Sequence, residues 1–367
     1  MLPRGFLKNL DIVLLACVLL LTGGGLFFLY TIGDGTGPGG YFFTRQMIWL
    51  GLALAAGVLC FTLNYKLWER FSWLLYLINI GLLALLLVIG ERTKGAESWF
   101  DLGIFRVQPS EFAKILFIVT FAGHLSKYRH NINRFTSLLL CLGQFLLPFG
   151  LILMQPDMGT GLVFMAIFFG MMYVSGVDGL TLFVTITSFV SAGIAAAPFV
   201  VKEYQFKRLT AFLNPEADPR GAGYQLIQSK IAIGSGGLWG KGFFGGEQAS
   251  LGFLPTSQSD FIFAAICEQA GFVGGLAVIA VFMTALFRIM RISGLVEDLF
   301  ANYIAAGIFC MLAFQGAVNI GMTLGLFPIT GIPLPFVSYG GSSLLMNGIA
   351  IGLLLNISVR RRKIMFV

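Results

Sequence analysis

Charge is what this chain has little of. Only 11% of its 367 residues are Asp, Glu, Lys or Arg, against roughly a quarter in a soluble domain. Hydrophobic residues make up 57%, and the mean hydropathy is +0.86. That balance excludes a water-soluble fold. Apolar runs of about 20 residues read instead as bilayer-spanning helices. Histidine is scarcer still, with His124 and His130 alone, which argues against a zinc or haem site. The five cysteines (Cys17, Cys60, Cys141, Cys267, Cys310) sit in apolar runs without CxxC spacing and read as small core residues. No GxSxG elbow, phosphate-binding Walker loop or HExxH helix is present. The formal net charge of +7 comes with no nucleic-acid motif, so loop Lys and Arg near anionic headgroups explain it.

What is there is a series of ten apolar runs, at 11–30, 45–63, 71–89, 108–126, 137–154, 159–175, 179–201, 261–287, 298–320 and 339–358. The expectation is an all-α polytopic membrane protein, one integral membrane domain over 1–367. Short loops on the terminus side carry Arg4, Lys8, Lys66, Arg70, Lys127, Arg129, Arg134, Arg288, Arg291 and Arg360 to Lys363. The positive-inside rule makes that side cytoplasmic. A large extracytoplasmic loop, about 202–260, then joins spans 7 and 8. It opens with KEYQFKRLTAFLNP, an amphipathic helix stopped by Asn214 and Pro215, and continues glycine-rich and apolar, as a segment packed on the bundle would.

Against this background the acids in SQSDFIFAAICEQAG stand out. Asp260 falls at the outer mouth of the eighth span, where a helix N-terminus favours an acid and Ser257 or Ser259 would serve as a cap. Glu268 lies about 12 Å further along a helix. A carboxylate at that depth must be protonated, paired, or facing a cavity. A second cluster is FRVQPSEFAK, in which Pro109 and Ser110 start a helix and Glu111 and Lys114 share a face. With Arg106 this is either an interfacial salt-bridge network or a cationic cradle for phosphate. Asp157 sits in the QPDMGT turn, where an Asp after Pro needs no function. The uncharged, glycine- and proline-rich 319–343 ends in Ser338, Ser342 and neighbouring glycines, as a cavity-lining segment would.

These segments together resemble the SEDS family (shape, elongation, division and sporulation) over essentially the whole chain. The carriers are FLNPEADPRGAGYQLIQSKIAIGSGGLWGKG, FLP, DFIFAAICEQAGFVG, NIGMTLGLFPITGIPLPFVSYGGSS, QPSEFAK and QPDMGTG. NIGMTLG and TGIPLPFVSYGGSS are more similar to the elongation branch than to the division branch. The resemblance implies a ten-span glycosyltransferase that polymerises lipid II in a bacterial plasma membrane. It implies a class B penicillin-binding protein (a transpeptidase) and other elongation-complex membrane proteins as partners, with no nucleic acid and no organic cofactor. It puts the family's essential acid on Asp260, as general base or as ligand of a divalent cation, Mg or Mn. Arg106, Lys114 and Asp157 match family positions as well. Glu111, Glu268, Lys230, Lys241, Ser338 and Ser342 complete the expected substrate site. The chain departs from the family at Thr256, at Gln258–Ser259 and at Ser98. The alternatives are a lipid II transporter, since charges among several spans suit transport too, and a division-type member of the same family.

Overall fold

In a bilayer the backbone finds hydrogen-bond partners only within itself, so the apolar runs close into helices. A computed structural model describes residues 9–32, 40–93, 96–101, 106–218 and 221–360. The first four helices are α1 (Ile12–Ile32), α2 (Tyr41–Thr62), α3 (Tyr65–Arg70) and α4 (Ser72–Ile89). Three short antiparallel strands follow, β1 (Glu91–Thr93), β2 (Ala96–Asp101) and β3 (Arg106–Val107). Next come α5 (Pro109–Tyr128), α6 (Phe135–Met154), α7 (Met158–Val174), α8 (Gly179–Val200), α9 (Glu203–Leu213), α10 (Ala222–Ser235) and α11 (Glu247–Ser250). The chain closes with α12 (Ile262–Gly294), α13 (Leu299–Leu324) and α14 (Gly341–Arg360). The small sheet has no counterpart in the all-helical expectation.

Among the described residues eight helices are long and apolar enough to cross a membrane: α1, α2, α4, α6, α8, α12, α13 and α14. The other two expected spans exist as α7, which is shorter, and α5, which carries Glu111, Lys114 and Lys127. Both pack against α13. The order of burial sets the layout. α13 and α14 are the most enclosed, while α8 has no buried residue across its apolar window and leans on α7 from outside.

Packing between α5, α6 and α7 is aromatic. Phe117, Phe145, Phe164 and Phe168 are fully buried, with the Phe145 and Phe168 rings stacked at 4.3 Å. α2 and α14 are held by small residues. A Cβ on Gly348 would come within 2.6 Å of the Ala53 carbonyl, and one on Gly57 within 2.9 Å of the Gly348 carbonyl. Backbones can approach this closely only where side chains are absent.

The first and last described segments meet. The Ser358 hydroxyl donates to the Asn9 carbonyl at 3.0 Å, and Arg288 grips Asp11 through three bonds of 2.7–3.0 Å. Lys66, Arg70, Lys127, Arg129, Arg134, Arg291 and Arg360 belong to helix ends on this same side of the bundle. Arg4, Lys8, Arg361, Arg362 and Lys363 lie outside the described residues.

The eighth span differs from a plain helix. Gly271 has φ 69° and ψ −168°, which splits α12 into 262–270 and 272–294. Glycine is the residue for that conformation. The 238–240 backbone runs so close to Gly271 that a Cβ there would collide with it.

Candidate functional site

Three chain segments converge at the end of the bundle opposite the basic cluster. The first is the turn-rich 251–261, which ends with Asp260 and Phe261. The helix cap falls on Phe261, whose side chain bonds nothing there, and not on Ser257, Ser259 or Asp260. The turn is fixed instead through its backbone. Asp260 N–H donates to the Thr256 carbonyl at 3.1 Å, and the Asp260 carbonyl accepts from Asn319 Nδ2 at 3.0 Å. Ser338 Oγ donates to the Ser259 carbonyl at 2.6 Å and accepts from the Leu334 N–H at 2.8 Å. Tyr339 N–H donates to the Gln258 carbonyl at 2.9 Å. Gln46 of α2 clamps the same loop, donating to the Ser338 carbonyl and accepting from the Gly340 N–H, each at 3.2 Å.

The second segment is the loop 325–340. It begins at Gly325, whose φ of 77° ends α13 in the left-handed conformation. At its centre Gly331 has φ 76° and no side chain. A Cβ built on it would sit 3.8 Å from Arg208 Nη1 and 3.9 Å from Asp260 Oδ2. The guanidinium and the carboxylate thus flank one small opening that a glycine keeps clear. Arg208 Nη1 also donates to the Ile329 carbonyl at 3.4 Å. α9, which carries Arg208, is docked by Tyr204 Oη and Gln205 Nε2, both donating to the Pro156 carbonyl at 2.8 and 3.0 Å. Burial pushes the Tyr204 phenol up, so its proton stays available for that bond.

The third segment is the start of α5 and α7. Asp157 caps α7: Oδ1 accepts from the Thr160 N–H at 3.0 Å and Oδ2 from the Thr160 hydroxyl at 2.8 Å. Gln108 Nε2 at 3.4 Å and the Ser110 hydroxyl at 3.5 Å also donate to Oδ2. Gln108 N–H donates to Ser342 Oγ at 2.9 Å, which ties α14 to α5. A Cβ on Gly159 would be 3.0 Å from the Thr330 carbonyl, so the start of α7 rests on the loop that holds Gly331.

The expected site residues therefore fall into groups. Asp260, Ser338, Ser342 and Asp157 are gathered around the loop 325–340, although both serine hydroxyls and Asp157 hold the scaffold. Arg106 is exposed on β3, next to the start of α5. Glu111 and Lys114 form a 2.6 Å ion pair with both residues buried. Lys230 lies across Gly325 at the negative end of α13. Glu268 is fully buried and is paired with Lys241 at 3.2 Å. It also accepts backbone N–H bonds from Gln248 at 3.0 Å and Ala249 at 3.2 Å. Pairing is thus the one of the three routes open to a deep carboxylate that this chain takes.

Sequence reasoning missed Arg208, Asn319 and Gln46. Asn319 and Gln46 did carry a signal, being amides inside apolar runs. Arg208 carried none, because a cation on an amphipathic helix passes for an interfacial charge. The donor set fits a protein-built metal centre poorly. Among the described residues no three Asp, Glu, His or Cys groups converge, and the Asp157 oxygens are already committed to Thr160.

The comparisons agree with this architecture. The FtsW, RodA and SpoVE family model, described as a cell cycle protein, matches residues 11–363. The probable peptidoglycan glycosyltransferase FtsW of Trichlorobacter lovleyi is 38% identical over 96% of this chain and 94% of its own length. A chain from a solved structure on the structural coordination of polymerization and crosslinking by a peptidoglycan synthase complex superposes with a TM-score of 0.80. It is 32% identical, and the match covers 95% of this chain and 97% of that one. The Thermus thermophilus Rod shape determining protein RodA gives a TM-score of 0.74 at 28% identity, over 96% and 98% of the two chains. A match along nearly the full length, joined to the bundle of long apolar helices and the loop over Asp260, means that this chain belongs to the SEDS family of FtsW, RodA and SpoVE.

Proposed function

We infer that the protein is a peptidoglycan glycosyltransferase that polymerises lipid II, with Asp260 as its general base. One observation carries the assignment of roles: the Asp260 carboxylate and the Arg208 guanidinium flank the opening over Gly331. Glycosyl transfer needs both kinds of group. A base takes the proton from the acceptor sugar hydroxyl as its oxygen bonds to the anomeric carbon. The bond from that carbon to the pyrophosphate oxygen breaks, and a cation stabilises the charge that leaves. Asp260 supplies the first group and Arg208 the second, with exposed Arg106 as a further phosphate contact.

The polyprenyl chain has a place close by. An apolar groove of about 260 Å³ runs between α1, α2 and α14, and Phe336 and Leu344 line it next to the catalytic loop. No step is assigned to a divalent cation, since no three-residue ligand set is found among the described residues, and Asp260 with the pyrophosphate would be the groups to hold one. The basic end of the bundle supports a cytoplasmic location for the termini and an extracytoplasmic one for Asp260. The motif wording supports elongation over division, and the synthase complex among the structural neighbours supports a class B penicillin-binding protein as partner.

The test is polymerisation of purified lipid II by the Asp260→Asn variant, with and without a chelator. Loss of a general base costs about 10²-fold or more. Normal glycan formation by a folded variant would sink the assignment, and chelator sensitivity would bring the metal back. Rescue of rod width, rather than of septation, in depleted cells tests the elongation role.

A further inference from the structure

A second cavity, of about 490 Å³, lies at the basic end of the bundle, far from Asp260 in the fold. It is bounded by the start of α4, the end of α5 and the first turns of α6. Its polar lining includes Ser72, Tyr76, Thr120, His124, Lys127 and Gln144. Two of these side chains have buried atoms that nothing in the protein satisfies, His124 Nε2 and Gln144 Oε1. A buried polar atom without a partner costs about 1–3 kcal/mol, and both atoms belong to side chains that line this cavity, so a rotation of each side chain toward an occupant would satisfy it. Lys127 adds a cation and has no salt bridge among the described residues, its ammonium lying 5.8 Å from the Tyr128 ring. Exposed Trp73, Leu139 and Leu140 make the mouth, on the side where α4 and α6 face the bilayer.

We propose that this cavity binds the headgroup of a membrane phospholipid, with its phosphate on Lys127 and His124 and a headgroup hydroxyl on Gln144. The chemistry follows from the donors and acceptors. Lys127 and a His124 Nε2–H would donate to phosphate oxygens. Gln144 Oε1 needs a donor, which phosphatidylglycerol has and phosphatidylcholine lacks. The apolar mouth lets the acyl chains remain in the bilayer, which a soluble phosphate would not need. Basic pockets between helices at a membrane surface are a recurrent form of headgroup site.

Trp73 at the mouth supplies the readout. The full chain is placed in phosphatidylcholine nanodiscs doped with phosphatidylglycerol that carries brominated acyl chains. The Trp73 contribution is the difference between the native protein and Trp73→Phe. Phosphatidylglycerol should quench Trp73 at a lower mole fraction than brominated phosphatidylcholine does. Lys127→Gln should shift that preference about fivefold, the worth of one cation at a membrane surface. Gln144→Leu should also weaken it, while Lys127→Arg retains it. Arg134→Gln, at the same end but outside the cavity, should leave it unchanged. The proposal fails if the two lipids quench equally, or if Arg134→Gln matters as much as Lys127→Gln. It fails equally if millimolar inorganic phosphate displaces the lipid.

Discussion

Asn319 Nδ2 donates to two carbonyls at once, that of Asp260 at 3.0 Å and that of Ile332 at 2.8 Å. A fully buried amide on α13 thereby sets the spacing between the turn that carries Asp260 and the loop that holds Gly331. Asn319→Leu leaves both carbonyls without this donor. The expected cost is about 2 kcal/mol or more in stability, seen as a lower Tm in detergent. Polymerisation should fall further than the Tm shift accounts for, because Asp260 moves relative to Arg208. Unchanged activity in this variant would mean that the spacing is not set by Asn319.

Gly331→Asn separates backbone strain from blockage. Asn tolerates positive φ better than most residues, so the variant should keep nearly native Tm. Its side chain would occupy the space between Arg208 and Asp260, and polymerisation should drop at least tenfold. Native activity would show that the substrate does not use that opening.

The Glu268–Lys241 pair is asymmetric. Glu268 is sealed and Lys241 is partly exposed. Lys241→Met strands a buried carboxylate that retains two backbone N–H bonds, and breaking such a pair costs about 3–5 kcal/mol. Adding Glu268→Gln should restore part of that loss, since no unpaired charge remains. Chemical denaturation of Lys241→Met, Glu268→Gln and the double variant checks the cycle, and a double variant no better than Lys241→Met alone would contradict it.

Arg288 holds Asp11 through Nε and Nη2, and Asp11 Oδ1 also accepts from the Leu14 N–H at 3.0 Å at the start of α1. Arg288→Lys keeps the charge but not the fork. It should lower stability, while Asp11→Ala should lower it more by also removing the cap, worth about 1 kcal/mol. Both sit at the end away from Asp260, so turnover at a permissive temperature should be native. Heat-inactivation curves and lipid II polymerisation separate the two effects.

Gly348 and Gly352 let α14 lie against α2 backbone to backbone. Gly352→Leu would force the helices apart by placing a side chain against the Gly57 carbonyl. Aggregation on solubilisation, or a Tm drop of several degrees, is expected. A native Tm would show that this contact is adjustable.

The long apolar helices were legible in the chain because a bilayer enforces hydrophobic length, and that length is a local property; eight of the ten expected spans meet it among the described residues. Pro109 marked the start of α5, Asn214 the stop of α9, and the i,i+3 spacing the Glu111–Lys114 pair, all within a turn or two of chain. Asp260 stood out as an acid beside an apolar run. The break at Gly271 was hidden, because it depends on the 238–240 backbone crossing that point. The partner of Glu268 was hidden because Lys241 is 27 residues away and is brought in by the same glycine-rich loop. Arg208 comes to the side of Gly331 across from Asp260 because α9 docks on the Pro156 carbonyl. Sequence alone thus determined where the long apolar helices run and which acid is out of place. Tertiary structure decided which charges meet, because pairing over long separations depends on where loops cross, and the composition of no single segment encodes that.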